Sequence, residues 1–587
     1  MKEGFLLVAV NAKYIHSNLA VYSLQAAAAR EGILVDLVEF TINQYVEEIL
    51  QELYQREPEV LFFSCYVWNW EYVRELAAEC AKILPGVPIW VGGPEVSYEP
   101  ARVLEENPAI TGVLLGEGEE SFPRLLRYYR KNLEDKRERR RRGEEGVWGK
   151  ILGAEMESSR EREKEQGDLG IRDGLAFWQN GIQVYPQMKL PNLNEIPFPY
   201  KNLGDFSHKI LYYESSRGCP FSCSYCLSSI DKRVRFRDLE LVRRELMAFL
   251  EAGVAQVKFV DRTFNCKESH ALAVWQYLLD HDNGVTNFHF EIAADLLTEA
   301  ELEILRRLRP GQVQLEIGIQ STCKETLEQI YRRMDLALVE KRVRQVKSFG
   351  NIHQHLDLIA GLPCEGLERF ARSFDRVFAL RPEQLQLGFL KVLKGTRMQE
   401  DAEKYGILYR DKPPYEVLST RWLHYGELLR LKKVEQMVEL YYNSGQFSLT
   451  LDRLMTFWES AFVFFEELAA YYQDHGWDRI QHTRVRRYEI LLDFIRERHL
   501  EEEHFQELLT MDYYLREAAK TRPGFSRDLS PWKEQIRLLQ KQYGKEKHVE
   551  VRAFDEGGNR QEPAFVVFDY QRRSPLTKDA AVFAAEL

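Results

Sequence analysis

Short apolar runs, each closed by Gly, Ser, Asn or Pro, alternate with stretches of helical spacing from the N-terminus to Tyr129. The runs are Phe5–Val10, Ile33–Val38, Val60–Ser64, Ile89–Gly92 and Gly112–Leu115; the intervening stretches include Leu19–Arg30, Tyr72–Leu84 and Ser121–Tyr129. Continuous apolar runs, rather than alternating ones, mark strands covered on both faces. The repetition predicts an α/β fold: a five-stranded parallel, Rossmann-like sheet with helices on either side. Right-handed crossovers then align the strand C-termini along one edge, where such sheets hold ligands.

The same rhythm returns at Ile210. Candidate strands are Ile210–Ser215, Gln256–Val260, Asn287–Ile292, Gln314–Gly318, Gln354–Ile359 and Gln384–Phe389, separated by helical segments such as Leu239–Glu251, His270–Leu279 and Leu338–Phe349. Six units predict a partial (β/α)6 barrel with its working loops at the strand C-termini. Between the two repeats, Glu134–Gln166 carries ten Lys or Arg and ten Asp or Glu, the composition of a solvated, flexible insertion. Leu190–Tyr200, with three prolines, reads as an extended connector. Beyond Asp401, the segments Glu427–Tyr442, Leu451–Tyr472 and Phe505–Lys520 predict a mainly helical domain, closed by a strand pair, Ala564–Tyr570 and Ala580–Phe583, around Ser574-Pro575. Trp458, Phe462 and Phe465 recur at helical spacing and read as its core. The expected divisions are residues 1–133, a flexible insertion at 134–170, a connector at 171–207, the barrel at 208–400 and the helical domain at 401–587.

Composition narrows the function. Eighty Lys plus Arg against 91 Asp plus Glu give a net charge of −11, which argues against a general nucleic-acid sheath. Eight cysteines are too few for a disulfide scaffold of 587 residues, and three of them crowd into eight positions. That usage fits a reducing compartment and a metal site. The start, Met1-Lys2-Glu3-Gly4, has no cleavable signal pattern, and no stretch of eighteen apolar residues occurs. The expectation is a cytoplasmic protein without a membrane span.

The crowded cysteines are Cys219, Cys223 and Cys226, spaced CxxxCxxC after an apolar run, with Gly218 permitting a tight loop. Soft thiolates select iron–sulfur, zinc or copper. Structural zinc takes four protein ligands, and no histidine or fourth cysteine follows at finger spacing. Three thiolates suit a four-iron cluster with one iron open to an exogenous ligand.

This segment resembles the radical S-adenosylmethionine (SAM) superfamily, in which an aromatic, here Tyr225, precedes the last cysteine. The resemblance implies a [4Fe–4S] cluster, SAM chelated on the open iron, and a reducing electron donor such as flavodoxin or ferredoxin. One-electron cleavage of SAM would release a 5′-deoxyadenosyl radical that takes hydrogen from substrate. It further implies that Asp261 and Arg262, in Phe259–Asn265, approach the methionine end of SAM. Glu291 and Glu316 would bind ribose or substrate, Gln320 in Gly318–Ser321 would face SAM or substrate, and Gly361 in Leu358–Pro363 would let adenine approach the backbone. Arg262, Glu316 and His355 are the candidate catalytic residues.

The first sheet lacks a GxGxxG turn; its first turn runs from Val10 through Asn18 to Leu19. Later strand ends offer Ser64, Gly92-Gly93 and Gly116-Glu117-Gly118, which leave room for a bulky planar ligand. Together with the cysteine loop, these positions are similar to the cobalamin-binding domain of cobalamin-dependent radical SAM enzymes. Ser64 and Gly92-Gly93 match two elements of its signature, while the first-loop DxHxxG is missing. That departure implies cobalt without a protein histidine below it, His16 being the alternative. The implied activity is transfer of methyl from methylcobalamin to an unactivated carbon or phosphorus of a small-molecule, peptide or nucleotide substrate. Rearrangement, cyclisation or ring contraction without net methyl transfer is the alternative, and a non-enzymatic cobalamin or redox sensor a third. The C-terminal region resembles a helical domain that caps the barrel mouth or shapes the pocket in some bacterial members.

Overall fold

The structure, a computed structural model, describes residues 4–141, 171–544 and 546–586. The chain divides into two compact units: residues 1–290, 391–404 and 409–417, then residues 291–390, 405–408 and 418–587. Most of the expected charged insertion lies outside the described residues.

In the first unit, β1 (Phe5–Asn11), β2 (Asp36–Thr41), β3 (Val60–Ser64), β4 (Ile89–Gly92) and β5 (Gly112–Leu114) form a parallel sheet in the order β2-β1-β3-β4-β5. Every residue of β1 is buried, because its two faces belong to different cores. Leu6, Val8 and Val10 meet Ile49, Leu53, Val73 and Leu76 from the helices Val46–Gln55 and Trp70–Ile83. Phe5, Leu7 and Ala9 meet Val21, Ala28, Phe122 and Leu125 from the helices Leu19–Arg30 and Gly118–Arg141. The expected second strand starts later than its apolar run, since the Ile33 amide still bonds the Ala28 carbonyl of the preceding helix.

The sheet is larger than expected. β6 (Leu175–Trp178) and β7 (Ile182–Tyr185) add to β5 as an antiparallel hairpin. Their three-residue loop, Gln179-Asn180-Gly181, carries Asn180 and Gly181 at positive φ, the residue types that tolerate that conformation.

Six parallel strands of the second repeat are present. β8 (Leu211–Tyr213), β9 (Gln256–Phe259) and β10 (Asn287–Ile292) pair in that order. Phe259, Phe264, Trp275 and Phe290 pack among them and the helix Glu268–Asp280. In the second unit, β11 (Val313–Gln320), β12 (His353–Ala360) and β13 (Gln384–Phe389) pair parallel, Glu316 opposite His355. The helix Leu367–Phe378 packs Phe374 and Phe378 against Phe462 and Phe465 of the C-terminal helices. That docking face buries both C-terminal aromatics, as their spacing predicts.

The C-terminal region is helical through Ser448–Leu454, Ala461–Asp474, Arg484–Glu497 and Glu502–Arg516. The expected continuous segment Leu451–Tyr472 is two helices. Ser460 caps the second by accepting from the Val463 amide at 3.1 Å, and Asp375 accepts from Ser460 and from the Phe462 amide at 2.7 and 2.8 Å. The terminal strand pair is a three-stranded antiparallel sheet, Lys547–Phe554 joining Arg560–Arg573 and Ala580–Ala584. Among the described residues no helix is long and apolar enough to cross a membrane.

Candidate functional site

The cysteine loop leaves β8 through Ser216–Arg217, which pairs antiparallel with Arg235–Phe236. Gly218 follows at φ +96°, where an added Cβ would lie 2.4 Å from the Arg233 carbonyl oxygen; only glycine fits. Cys219 and Cys223 are buried and Cys226 is half-buried, and the Cys226 amide closes a turn on the Cys223 carbonyl at 3.1 Å. Burial pushes the Cys226 thiol up, while the nearby charge of Arg262 pulls it down. Ser224 is buried in the same loop, and its hydroxyl has no hydrogen-bond partner among the described residues. Three cysteines of one short loop and an orphaned hydroxyl are a donor set whose chemistry fits an iron–sulfur cluster with a ligand beside it.

Asp261, expected beside SAM, is fully buried beneath this loop. Its carboxylate accepts from the Ser215 amide at 2.9 Å and from the hydroxyls of Ser215 and Ser216, each at 2.6 Å. The Ser215 oxygen also meets His270 Nε2 at 2.9 Å, and burial pushes that imidazole down to about 4, so it is neutral near pH 7. The carboxylate is thereby committed to fixing where the cysteine loop begins. Arg262, by contrast, is exposed, and its charge acts on both Cys226 and Tyr66.

Tyr66 belongs to the strand-end crevice of the first sheet. It stacks on Trp68 with ring centroids 4.3 Å apart, and burial pushes its hydroxyl up to about 12. Ser64 ends β3 and accepts from Asn18 Nδ2 at 3.1 Å; Asn18 Oδ1 is buried without a partner among the described residues. Gly92 ends β4, and Gly93 sits at φ +121°, where a Cβ would lie 2.4 Å from the Cys65 carbonyl oxygen. Tyr98, a few residues on, is pushed up by burial and then by the neighbouring Cys226 sulfur. The crevice thus offers small residues at two strand ends, an orphaned polar atom and two aromatic rings, which fits a large planar ligand. His16 Nδ1 is taken by the Tyr212 hydroxyl at 2.8 Å.

The third strand end behaves differently. Gly116 has φ +69° and packs on Gln187, whose side chain bonds both the amide and the carbonyl of Glu117. The Glu117 carboxylate receives Arg217 at 2.7 Å and also Arg235; Gly118 opens the following helix, where Glu119 receives Arg217 again. Arg217 takes Glu214 at 2.7 Å as well. Burial opposes charge on Glu119, yet the guanidinium holds its carboxyl below the usual range, while burial keeps Glu214 above it. Arg217 itself is held firmly protonated by these carboxylates in spite of burial. This loop is a strut between the first sheet and the cysteine loop.

In the second unit, Glu316 and His355 face each other across β11 and β12. His355 Nε2 lies 3.0 Å from Asp357 Oδ1, and ligand atoms of Glu316, His355 and Asp357 lie within 4.8 Å of one another. Gln320 ends β11 at φ +72° after a register shift, and Gly361 follows β12 at φ +88°. Glu291 is the penultimate residue of β10. Sequence reasoning passed over Asp357, although it follows His355 by two residues and so shares its face of the strand. It also passed over Tyr66 and Tyr98, which follow Ser64 and Gly93, and over Arg217 inside the segment it singled out.

Three family models match separate stretches of the chain. Residues 6–126 match the B12 binding domain, residues 213–377 match the radical SAM superfamily, and residues 403–574 match a family described as a protein of unknown function (DUF4080). The chain therefore carries the domain pair of cobalamin-dependent radical SAM proteins. The cofactors those domains imply are a [4Fe–4S] cluster, SAM and cobalamin. It is 26% identical over 379 residues to the cobalamin-dependent radical SAM methyltransferase TokK of Streptomyces tokunonensis, covering 60% of this chain and 50% of that protein. The chain spans about half the length of the curated relatives it matches. Among solved structures it resembles the radical SAM methyltransferase TsrM of Kitasatospora setae with cobalamin and [4Fe–4S] cluster bound, with a TM-score of 0.55 and 16% identity over 71% of this chain and 79% of that one. It also resembles the cobalamin-dependent SAM radical enzyme OxsB with aqua-cobalamin and SAM bound, with a TM-score of 0.57 and 16% identity over 86% and 78%. At these identities the likeness is one of fold.

Proposed function

We propose that this protein is a cobalamin-dependent radical SAM methyltransferase acting on an unactivated carbon or phosphorus centre. The observation that carries the reading is the Arg217 strut, which ties the third strand end of the B12 binding domain directly to the cysteine loop. When bound, the cofactors supply a carbon radical from SAM and a methyl group carried on cobalt. Cys219, Cys223 and Cys226 would hold the cluster; Asn18, Ser64, Gly92 and Gly93 would cradle cobalamin, with Tyr66 and Trp68 at its side. Arg262 keeps a positive charge in reach of both Tyr66 and Cys226, suited to orienting an anionic group of SAM or substrate. Gln320, Glu291 and Gly361 remain candidates for SAM contact. Glu316, His355 and Asp357 can hold and pass a proton among closely spaced oxygens and nitrogen. The resemblance to TokK and TsrM, both named as methyltransferases, supports methyl transfer over rearrangement.

The test is anaerobic reconstitution with iron, sulfide, cobalamin and SAM, with reduced flavodoxin as the one-electron donor, followed by mass analysis of candidate substrate pools. Deoxyadenosine together with a product heavier by one methylene is expected. Deoxyadenosine without such a product means rearrangement, and no SAM cleavage by fully loaded protein means a sensor. Cys219→Ala, Cys223→Ala and Cys226→Ala should each lose cluster iron and deoxyadenosine formation together.

A further inference from the structure

Thr263 lies at the end of the loop that follows β9, two residues beyond Asp261, and it is as buried as the cysteine it touches. Its Oγ1 is 3.5 Å from Cys219 Sγ and 2.7 Å from the Arg262 carbonyl oxygen. Thr263 is 7% and Cys219 8% exposed, so water does not compete for either contact. A threonine hydroxyl has one proton to give. While Cys219 is a thiol, both contacts are satisfied: S–H donates to Oγ1, and O–H donates to the Arg262 carbonyl. A thiolate ligand has lost its proton and can only accept. The contact with sulfur then survives only if the hydroxyl turns its proton away from the carbonyl.

Resting on the assignment of Cys219 as a cluster ligand, we infer that Thr263 is a redox-tuning residue whose hydroxyl donates to the Cys219 sulfur and favours the reduced cluster. The carbonyl and the sulfur compete for one proton. Adding an electron makes the sulfur the stronger acceptor while leaving the carbonyl unchanged. The hydrogen bond therefore strengthens on reduction, and hydrogen bonds to cluster sulfurs are an established control of potential. In a buried site of low dielectric that difference is not screened away. No atom is transferred; the electron comes from an external one-electron donor, and the hydroxyl proton stays on Thr263.

The experiment is a potentiometric titration of the reconstituted cluster followed by electron paramagnetic resonance, with iron counted in each sample. Thr263→Val keeps the shape and removes the donor. It should load as much iron as the parent but be about tenfold less reduced at a fixed potential, which is about 59 mV for one electron. Thr263→Ser should restore the parent value. An unchanged midpoint in fully loaded Thr263→Val, or a shift that serine does not restore, overturns the inference. The unaltered protein gives a second measurement: its iron–sulfur stretching bands should move in D2O, and bands that stay still overturn it as well. Loss of iron from Cys219→Ala but not from Thr263→Val separates this tuning role from ligation itself.

Discussion

Replacing Arg217 with methionine isolates the strut. The side chain is 17% exposed and faces Glu117, Glu119 and Glu214, which are 21%, 9% and 22% exposed. Methionine fills similar volume but leaves three carboxylates close together and mostly out of water. Removing one partner of a buried ion pair costs about 3–5 kcal/mol, because the remaining charge is uncompensated. The sign with pH follows from the partners. In the parent protein Glu119 is held below its ordinary range, so its contribution is present at neutral pH and is lost only as pH falls below about 4.5. Without Arg217, burial on the same carboxyl is opposed only by the Ser23 hydroxyl and a backbone amide and raises it, so the variant is penalised at neutral pH and recovers as the carboxyls protonate.

Urea unfolding of the metal-free protein at pH 8 and pH 5.5 reads this directly. Arg217→Met should be less stable by about 3–5 kcal/mol at pH 8, and the gap to the parent should narrow by more than half at pH 5.5. Arg217→Lys, which keeps a charge but cannot fork to three carboxylates, should fall between. A gap that is equal at both pH values would mean that methionine disturbs packing rather than charge, and the strut would then be incidental.

Glu365 gives a second pH signature. Burial pushes its carboxyl up to about 7, with Ser321 and Ser373 donating to one oxygen at 2.7 and 2.9 Å. A raised acid favours the folded state below about 4.5 and loses that contribution as pH rises through about 7, on the order of 3–4 kcal/mol in all. Glu365→Gln should abolish this slope and be the more stable protein at pH 8; a parent whose stability is flat from pH 5 to pH 8 would contradict it. At Gly93, alanine meets both a strained φ and the Cys65 carbonyl 2.4 Å away, so Gly93→Ala should retain at least about tenfold less cobalamin after desalting. Gly86→Ala shares the positive φ but has no atom within 4 Å, and its cobalamin absorbance should match the parent.

What the sequence makes legible follows from how local each signal is. Continuous apolar runs such as Val60–Ser64 and Ile89–Gly92 recur as strands with the same bounds, because burial on both faces leaves no other reading. The hairpin Leu175–Tyr185 is missed beside a charged, Pro-rich stretch even though Asn180-Gly181 announces its turn. Strand Lys547–Phe554 is hidden by charged residues on the face its polar side chains share. For the site, spacing alone locates the three cysteines. Glu117 is read as a cofactor contact because its glycine neighbours suggest one; its use by Arg217 and Arg235 depends on residues about a hundred positions away, which no local pattern encodes.

Two buried charge systems therefore flank the cysteine loop, and they do different work. Asp261, with Ser215, Ser216 and His270, fixes the loop's first residues to the end of β9 through short hydrogen bonds. Arg217 fixes the same stretch to the first sheet through carboxylates on Glu117 and Glu119. Chemistry that passes a group between two cofactors depends on their separation, and near-attack geometry is lost within about 1 Å. A flexible linker cannot hold such a distance, whereas two anchors on adjacent residues, Ser216 and Arg217, set position and tilt of the loop together. The prediction from this arrangement is that damage at either anchor lowers cluster loading, while only damage at Arg217 also alters the cobalamin side.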